Sequence, residues 1–193
     1  TCLFFDHEED LLYTGSADTN INIYSIKKST EKPIRTLKAH KDEITCLKMD
    51  YKKKVLYSSS WDKMIFGWNL EQDEIDPKNK LQGHKDGVTT LEIGCKKKEL
   101  FSGSADNSIF VWSISGEENI CKRILRGHRR ALTSIILDNS EEFLYSASLD
   151  RTIKVWDLTK KKIEDREPIR VFKGHKKGVT GIGLSEEGKV LYS

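Results

Sequence analysis

Residues 55–70 read VLYSSSWDKMIFGWNL: a run of β-branched, aromatic and small residues, a turn at Trp61-Asp62-Lys63, and a second such run ending on Trp68. Two short strands joined by a tight turn are the natural reading of that pattern. The stretch has relatives within the chain. LLYTGSADTNINIYSI (11–26), LFSGSADNSIFVWSI (100–114) and FLYSASLDRTIKVWDL (143–158) align with it without gaps, so Asp18, Asp62, Asp106 and Asp150 recur at steps of 44 residues. Tyr24, Trp68, Trp112 and Trp156 keep the same step. A fixed period of this length marks a repeat architecture, in which each unit buries its apolar face against the next.

Outward from these hairpins, a small residue followed by histidine stands at Ala39-His40, Gly83-His84, Gly127-His128 and Gly174-His175, which takes up four of the five histidines. The last step is longer, and the extra residues fall in the segment Lys160–Pro168. Runs such as ITCLKM (44–49) supply further strands, giving four antiparallel strands per unit. Pro33, Pro77 and Pro168, the only prolines, each lie between a third strand and the next histidine, which suits an outer edge strand or its turn. The units run 1–44, 45–88, 89–132 and 133–179, with a partial unit over 180–193.

Repeats with this period and these histidine and tryptophan markers resemble the WD-repeat (G-beta-like) β-propeller family. The resemblance covers the whole chain, although only Val155-Trp156-Asp157 shows the literal Trp-Asp ending; the other units read Tyr24-Ser25, Trp68-Asn69 and Trp112-Ser113. It implies an all-β fold of four-stranded antiparallel WD-type blades packed around a channel. Because such propellers usually close with seven blades, about four and a third repeats are expected to be a fragment of a larger ring. Thr1 in place of an initiator Met agrees with that expectation.

In a four-stranded meander the turns alternate ends, so the turn between the second and third strands emerges beside the loop between units. Asp62 is thereby brought to His40. A neutral imidazole offers one donor and one acceptor and can bridge a carboxylate and a hydroxyl. Ser58 can accept the Trp68 indole proton while donating to His40, with Ser60 on the same strand face as the alternative. The expected sets are His40, Ser58, Asp62, Trp68; His84, Ser102, Asp106, Trp112; and His128, Ser146, Asp150, Trp156. They match the structural tetrad of the family that the chain resembles. Ser, His and Asp together also raise nucleophilic catalysis, but a hydrolase needs one set beside a substrate pocket and an oxyanion hole. Three sets recurring at blade spacing read as fasteners, so no catalytic residue and no enzyme are expected. Since no Gly-rich phosphate loop, HExxH, EF-hand run or Cys/His metal spacing occurs, no cofactor and no metal are expected either.

The 33 Lys and Arg against 30 Asp and Glu leave a net charge of +3, without the basic excess of a dedicated nucleic-acid binder. Cys2, Cys46, Cys95 and Cys121 form no CxxC pair and read as reduced thiols of the cytoplasm or nucleus. Cys2 and Cys46 share a repeat position with Thr90, Ser134 and Gly181, as expected of small buried side chains. No apolar run approaches the roughly 18 residues of a membrane helix, so no membrane insertion is expected. The lysine triplets 52–54 and 96–98 fall in turns between first and second strands and read as solvated. Those turns are acidic in other units, at residues 6–10 and 139–142.

The opposite end of the blades is more informative. Trp61 stands where the other units have Ala17, Ala105 and Leu149, and the loops between units become basic at Arg129-Arg130 and Lys176-Lys177. A partner-binding face at Trp61, Leu149, Arg129, Arg130, Lys176 and Lys177 is expected, taking an acidic or phosphorylated peptide. The function expected is that of a non-catalytic scaffold or adaptor within an intracellular multiprotein complex. Two alternatives are a substrate-recognition propeller of a ubiquitin ligase and a WD tail on a larger enzyme such as a kinase.

Overall fold

The computed structural model describes residues 2–28, 31–71, 76–116, 120–160, 167–185 and 190–193. Thr1, expected to open the first strand, and residues 161–166 of the longer fourth unit lie outside the described residues. The described residues form strands and turns, with no helix among them. They fall into two compact units, Thr1–Gly83 and His84–Ser193.

The first unit holds two four-stranded sheets. One runs β1 (Cys2–Asp6), β2 (Leu11–Gly15), β3 (Asn20–Ser25), β4 (Arg35–Lys38), and the other β5 (Ile44–Asp50), β6 (Val55–Ser60), β7 (Met64–Asn69), β8 (Asn79–Gln82). The second unit repeats the pattern with β9 (Val88–Gly94), β10 (Glu99–Ser104), β11 (Ser108–Ser113), β12 (Ile120–Arg126) and with β13 (Leu132–Leu137), β14 (Phe143–Ser148), β15 (Thr152–Asp157), β16 (Arg170–Lys173). A two-stranded piece, β17 (Gly183–Leu184) and β18 (Leu191–Tyr192), follows. In every sheet neighbours in sequence are neighbours in space and antiparallel. The fold is therefore a series of meander blades.

The hairpin between second and third strands is built the same way each time. Thr19, Lys63, Asn107 and Arg151 adopt left-handed φ values of 72°, 71°, 69° and 71°. The Lys63 N–H donates to Ser60 O at 3.2 Å and the Arg151 N–H to Ser148 O at 3.1 Å, closing a three-residue loop whose last residue is left-handed. The aspartate before it is part of the turn chemistry: Asp62 Oδ1 accepts the Met64 N–H at 2.9 Å, and Asp150 Oδ1 the Thr152 N–H at 3.0 Å.

Adjacent blades within a unit share one apolar core. In the first unit Tyr13, Ile21, Ile23 and Leu37 pack against Ile44, Leu47, Met49, Leu56, Phe66 and Trp68. In the second, Phe101, Ile109, Val111 and Leu125 pack against Leu132, Ile135, Leu137, Leu144 and Trp156. Close approach requires small residues on β2 and β10. A Cβ on Gly15 would lie 2.5 Å from Ile44 Cγ2, and one on Gly103 would lie 2.8 Å from Thr90 Cγ2 and 3.1 Å from Leu132 Cβ. Threonine hydroxyls then fasten one blade to the next: Thr89 Oγ1 donates to Leu132 O at 2.8 Å and Thr133 Oγ1 to Val179 O at 2.6 Å.

Two expectations change. The lysine triplet 96–98 is more than a solvated turn, because the Lys96 N–H donates to Glu141 Oε2 at 2.9 Å, Lys96 Nζ to Asn139 O at 2.8 Å and Lys97 Nζ to Glu141 O at 3.0 Å. The basic turn of the third blade meets the acidic turn of the fourth, and hydrogen bonds to main-chain groups on either side clasp the two. Cys2 on β1 and Cys46 on β5 are half-buried rather than fully enclosed.

Candidate functional site

Three four-residue networks occupy the expected repeat positions. In the second blade the Trp68 Nε1–H donates to Ser58 Oγ at 2.9 Å, the Ser58 hydroxyl donates to His40 Nε2 at 2.8 Å, and the His40 Nδ1–H donates to Asp62 Oδ2 at 2.8 Å. The third blade joins Trp112, Ser102, His84 and Asp106 at 2.8, 2.8 and 2.9 Å. The fourth joins Trp156, Ser146, His128 and Asp150 at 2.8 Å throughout. Indole can only donate and carboxylate only accept, so the protons run one way and set each imidazole with its hydrogen on Nδ1. Ser58, rather than Ser60, carries the network; the Ser60 hydroxyl donates instead to Asp42 O at 2.9 Å.

Each aspartate also ties down the loop carrying its histidine. Asp62, Asp106 and Asp150 Oδ2 accept the N–H of Lys41, Lys85 and Arg129 at 2.9, 2.9 and 3.0 Å. Burial works to raise these carboxyls, but the donors from imidazole, hydroxyl and main chain together outweigh it. Asp62 and Asp106 are held below the ordinary aspartate value, and Asp150 is brought down to about 2. His128 is shifted below its ordinary 6.5 by burial, which outweighs its bond to Asp150, and the nearby Lys154 charge pushes the same way. Ser58, Ser102 and Ser146 are 0% exposed. Each serine hydroxyl is engaged by both the indole and the imidazole.

A fourth pair belongs to the series. His175 Nε2 lies 2.7 Å from Ser193 Oγ, with the same separation of 18 residues as His40 and Ser58. The signal for it was the spacing itself, which the sequence reading did not extend to the last histidine.

A different surface stands open to solvent in the second unit. Arg129, Arg130, Leu149, Asp150, Arg151, Lys176, Lys177 and Gly178 line a cleft of about 540 Å³. Four of the five basic side chains there are the paired residues of the two basic loops, and Leu149, 42% exposed, supplies an apolar patch beside them. Asp150 keeps its charge while accepting from His128, Thr152 and the Arg129 N–H, so among the described lining residues five cations face one carboxylate. Gly178 lets the loop seat against the hairpin turn: a Cβ there would lie 2.8 Å from Leu149 Cδ2 and 3.0 Å from its Cα. Arg151, in the left-handed turn position, adds a cation that the sequence reading did not include. Trp61 belongs to the first unit, where it is 40% exposed on its own hairpin turn and its N–H donates to Glu43 O at 3.0 Å.

Blades of four antiparallel strands, fastened at one end by Trp-Ser-His-Asp networks, define a repeat protein of the propeller class. The family model described as WD domain, G-beta repeat, matches residues 31–69, 75–113, 119–157 and 166–193, well over half of the chain. The chain belongs to the WD-repeat family, whose repeats bind other proteins and whose domains are typically non-catalytic. No curated protein matches the chain. Among the described residues no helix is long and apolar enough to cross a membrane.

Proposed function

We propose that this chain is a non-catalytic adaptor within a multiprotein complex and that its second unit receives an acidic or phosphorylated segment of a partner protein. The observation carrying this reading is the cleft at Arg129, Arg130, Arg151, Lys176 and Lys177, whose one acidic side chain is already committed to the fold. Arginine forks match carboxylate and phosphate geometry in pairs, and the exposed Leu149 gives such a segment an apolar foothold. In the first unit Trp61 offers a separate large aromatic surface of the kind that anchors protein contacts.

Fluorescence anisotropy of a labelled decaglutamate peptide tests this reading. Charge reversal at both Arg129 and Arg130 is expected to weaken binding and to flatten its dependence on salt, because exposed charges steer association through a screened field. Reversal of the lysine triplet 52–54 is expected to leave binding unchanged. If the triplet variant loses binding and the arginine variant keeps it, the partner surface lies elsewhere.

A further inference from the structure

In the second and third blades the third strand presents one residue toward the tetrad histidine. That residue is aromatic, with Phe66 packed 4.4 Å from the His40 ring and Phe110 4.1 Å from the His84 ring. The equivalent position in the fourth blade holds Lys154. Ile153 and Val155 point to the other side of β15, and Ile153 packs with Val179, so Lys154 faces the His128 loop. Its side chain lies in a place built for a ring. Lys154 is only 9% exposed as a residue, and its side chain borders an open recess. A lysine side chain commonly buries its methylene stem while its ammonium stays accessible, here toward that recess.

Lys154 lines a recess of about 300 Å³ together with Gly127, Arg129, Asp150, Thr152, Val171 and Lys173. Among the described residues three cations line this recess beside one carboxylate, Asp150, which stays charged while accepting from His128, Thr152 and the Arg129 N–H. Arg129 and Asp150 also line the larger basic cleft, so the two hollows adjoin through shared residues. The volume is at the lower limit of small-molecule pockets, which begin at roughly 300 Å³, and suits one compact anionic group more than a cofactor.

We infer that Lys154, with Arg129 and Lys173, forms a subsite for the phosphate of a phosphorylated residue, while the flanking acidic chain of the same partner segment lies in the adjoining cleft. This rests on the reading of the second unit as a receptor for acidic segments and adds to it a place for the phosphoryl group. Lysine binds phosphate as a point charge through three donors, and Arg129 supplies the directional fork beside it. A phosphoserine carries close to two negative charges and three acceptor oxygens, which matches three converging cations better than a carboxylate does.

Lys154→Phe tests the inference, since it installs the residue type that the second and third blades carry at this position, where the first blade has Asn22. Three probes are titrated by anisotropy against the whole chain and this variant: decaglutamate, the same peptide with one central phosphoserine, and inorganic phosphate as competitor. Wild type is expected to bind the phosphopeptide about tenfold or more tighter than decaglutamate, as a new bond between charged groups allows, and phosphate should compete away that increment. The variant should bind decaglutamate as wild type does and lose the increment. An increment that survives Lys154→Phe overturns the subsite while the acidic-segment reading stands. No increment in wild type overturns it equally, and competition by inorganic phosphate alone would then mark a free-phosphate site. If wild type binds neither peptide, the reading of the second unit fails as well.

Discussion

At the scale of single residues, the tetrads are held together by buried hydrogen bonds. Asp106→Ala strips His84 of its acceptor and orphans the Lys85 and Ser108 N–H groups, so it is expected to cost about 1–3 kcal/mol, seen as a lowered midpoint in denaturant. Unchanged stability would contradict the assignment. His128 gives a pH signature whose sign follows from its lowered pKa. The folded state binds fewer protons than the unfolded chain below the ordinary 6.5, so stability falls as pH drops from that value toward the folded pKa, and the depressed aspartates extend the loss below 3.8. NMR titration of His128 is expected to give a midpoint under 6.5; a midpoint above it would mean that Asp150 outweighs burial. Thr19 is a third test. It is β-branched at φ 72°, while the equivalent turn in the third blade uses Asn107 at 69°. Thr19→Asn should stabilise by about 1 kcal/mol, because the left-handed region is costly for most side chains and mild for asparagine.

At the scale of elements, blade packing depends on small side chains at the end of the second strand. Gly103 lies against Thr90 and Leu132, so Gly103→Val must push β9 or β13 aside, with an expected loss of about 1–3 kcal/mol in thermal or chemical unfolding. Melting indistinguishable from wild type would show that the blades have slack at this contact. Much of this level was legible in the sequence, because the step of 44 residues fixes strand, turn and loop at once and the three prolines mark outer strands. The choice between Ser58 and Ser60 was not legible. Two residues apart on one strand share a face, and only the geometry of the indole and imidazole selects Ser58. The clasp of Lys96 and Lys97 on the 139–141 turn was hidden for another reason. Sequence shows the charge of each turn but not which turns meet.

At the scale of the molecule, two kinds of chemistry are divided between interior and surface. The histidines and aspartates of the tetrads are consumed in holding loops to turns, whereas the arginines and lysines of the basic loops stay open to solvent in the second unit. Lys154 crosses that division, and its departure from Phe66 and Phe110 could be read from the alignment of repeats, but its burial could not. The four tryptophans report on the whole scheme at once. Hydrogen exchange of the indole Nε1–H groups, followed by ¹⁵N NMR, is the most direct test. Trp68, Trp112 and Trp156, each bonded to a buried serine, are expected to exchange slowly and only through opening of the blades, while Trp61, exposed on its turn, exchanges at once. Fast exchange at any of the three, or protection of Trp61 in the free chain, would contradict that scheme.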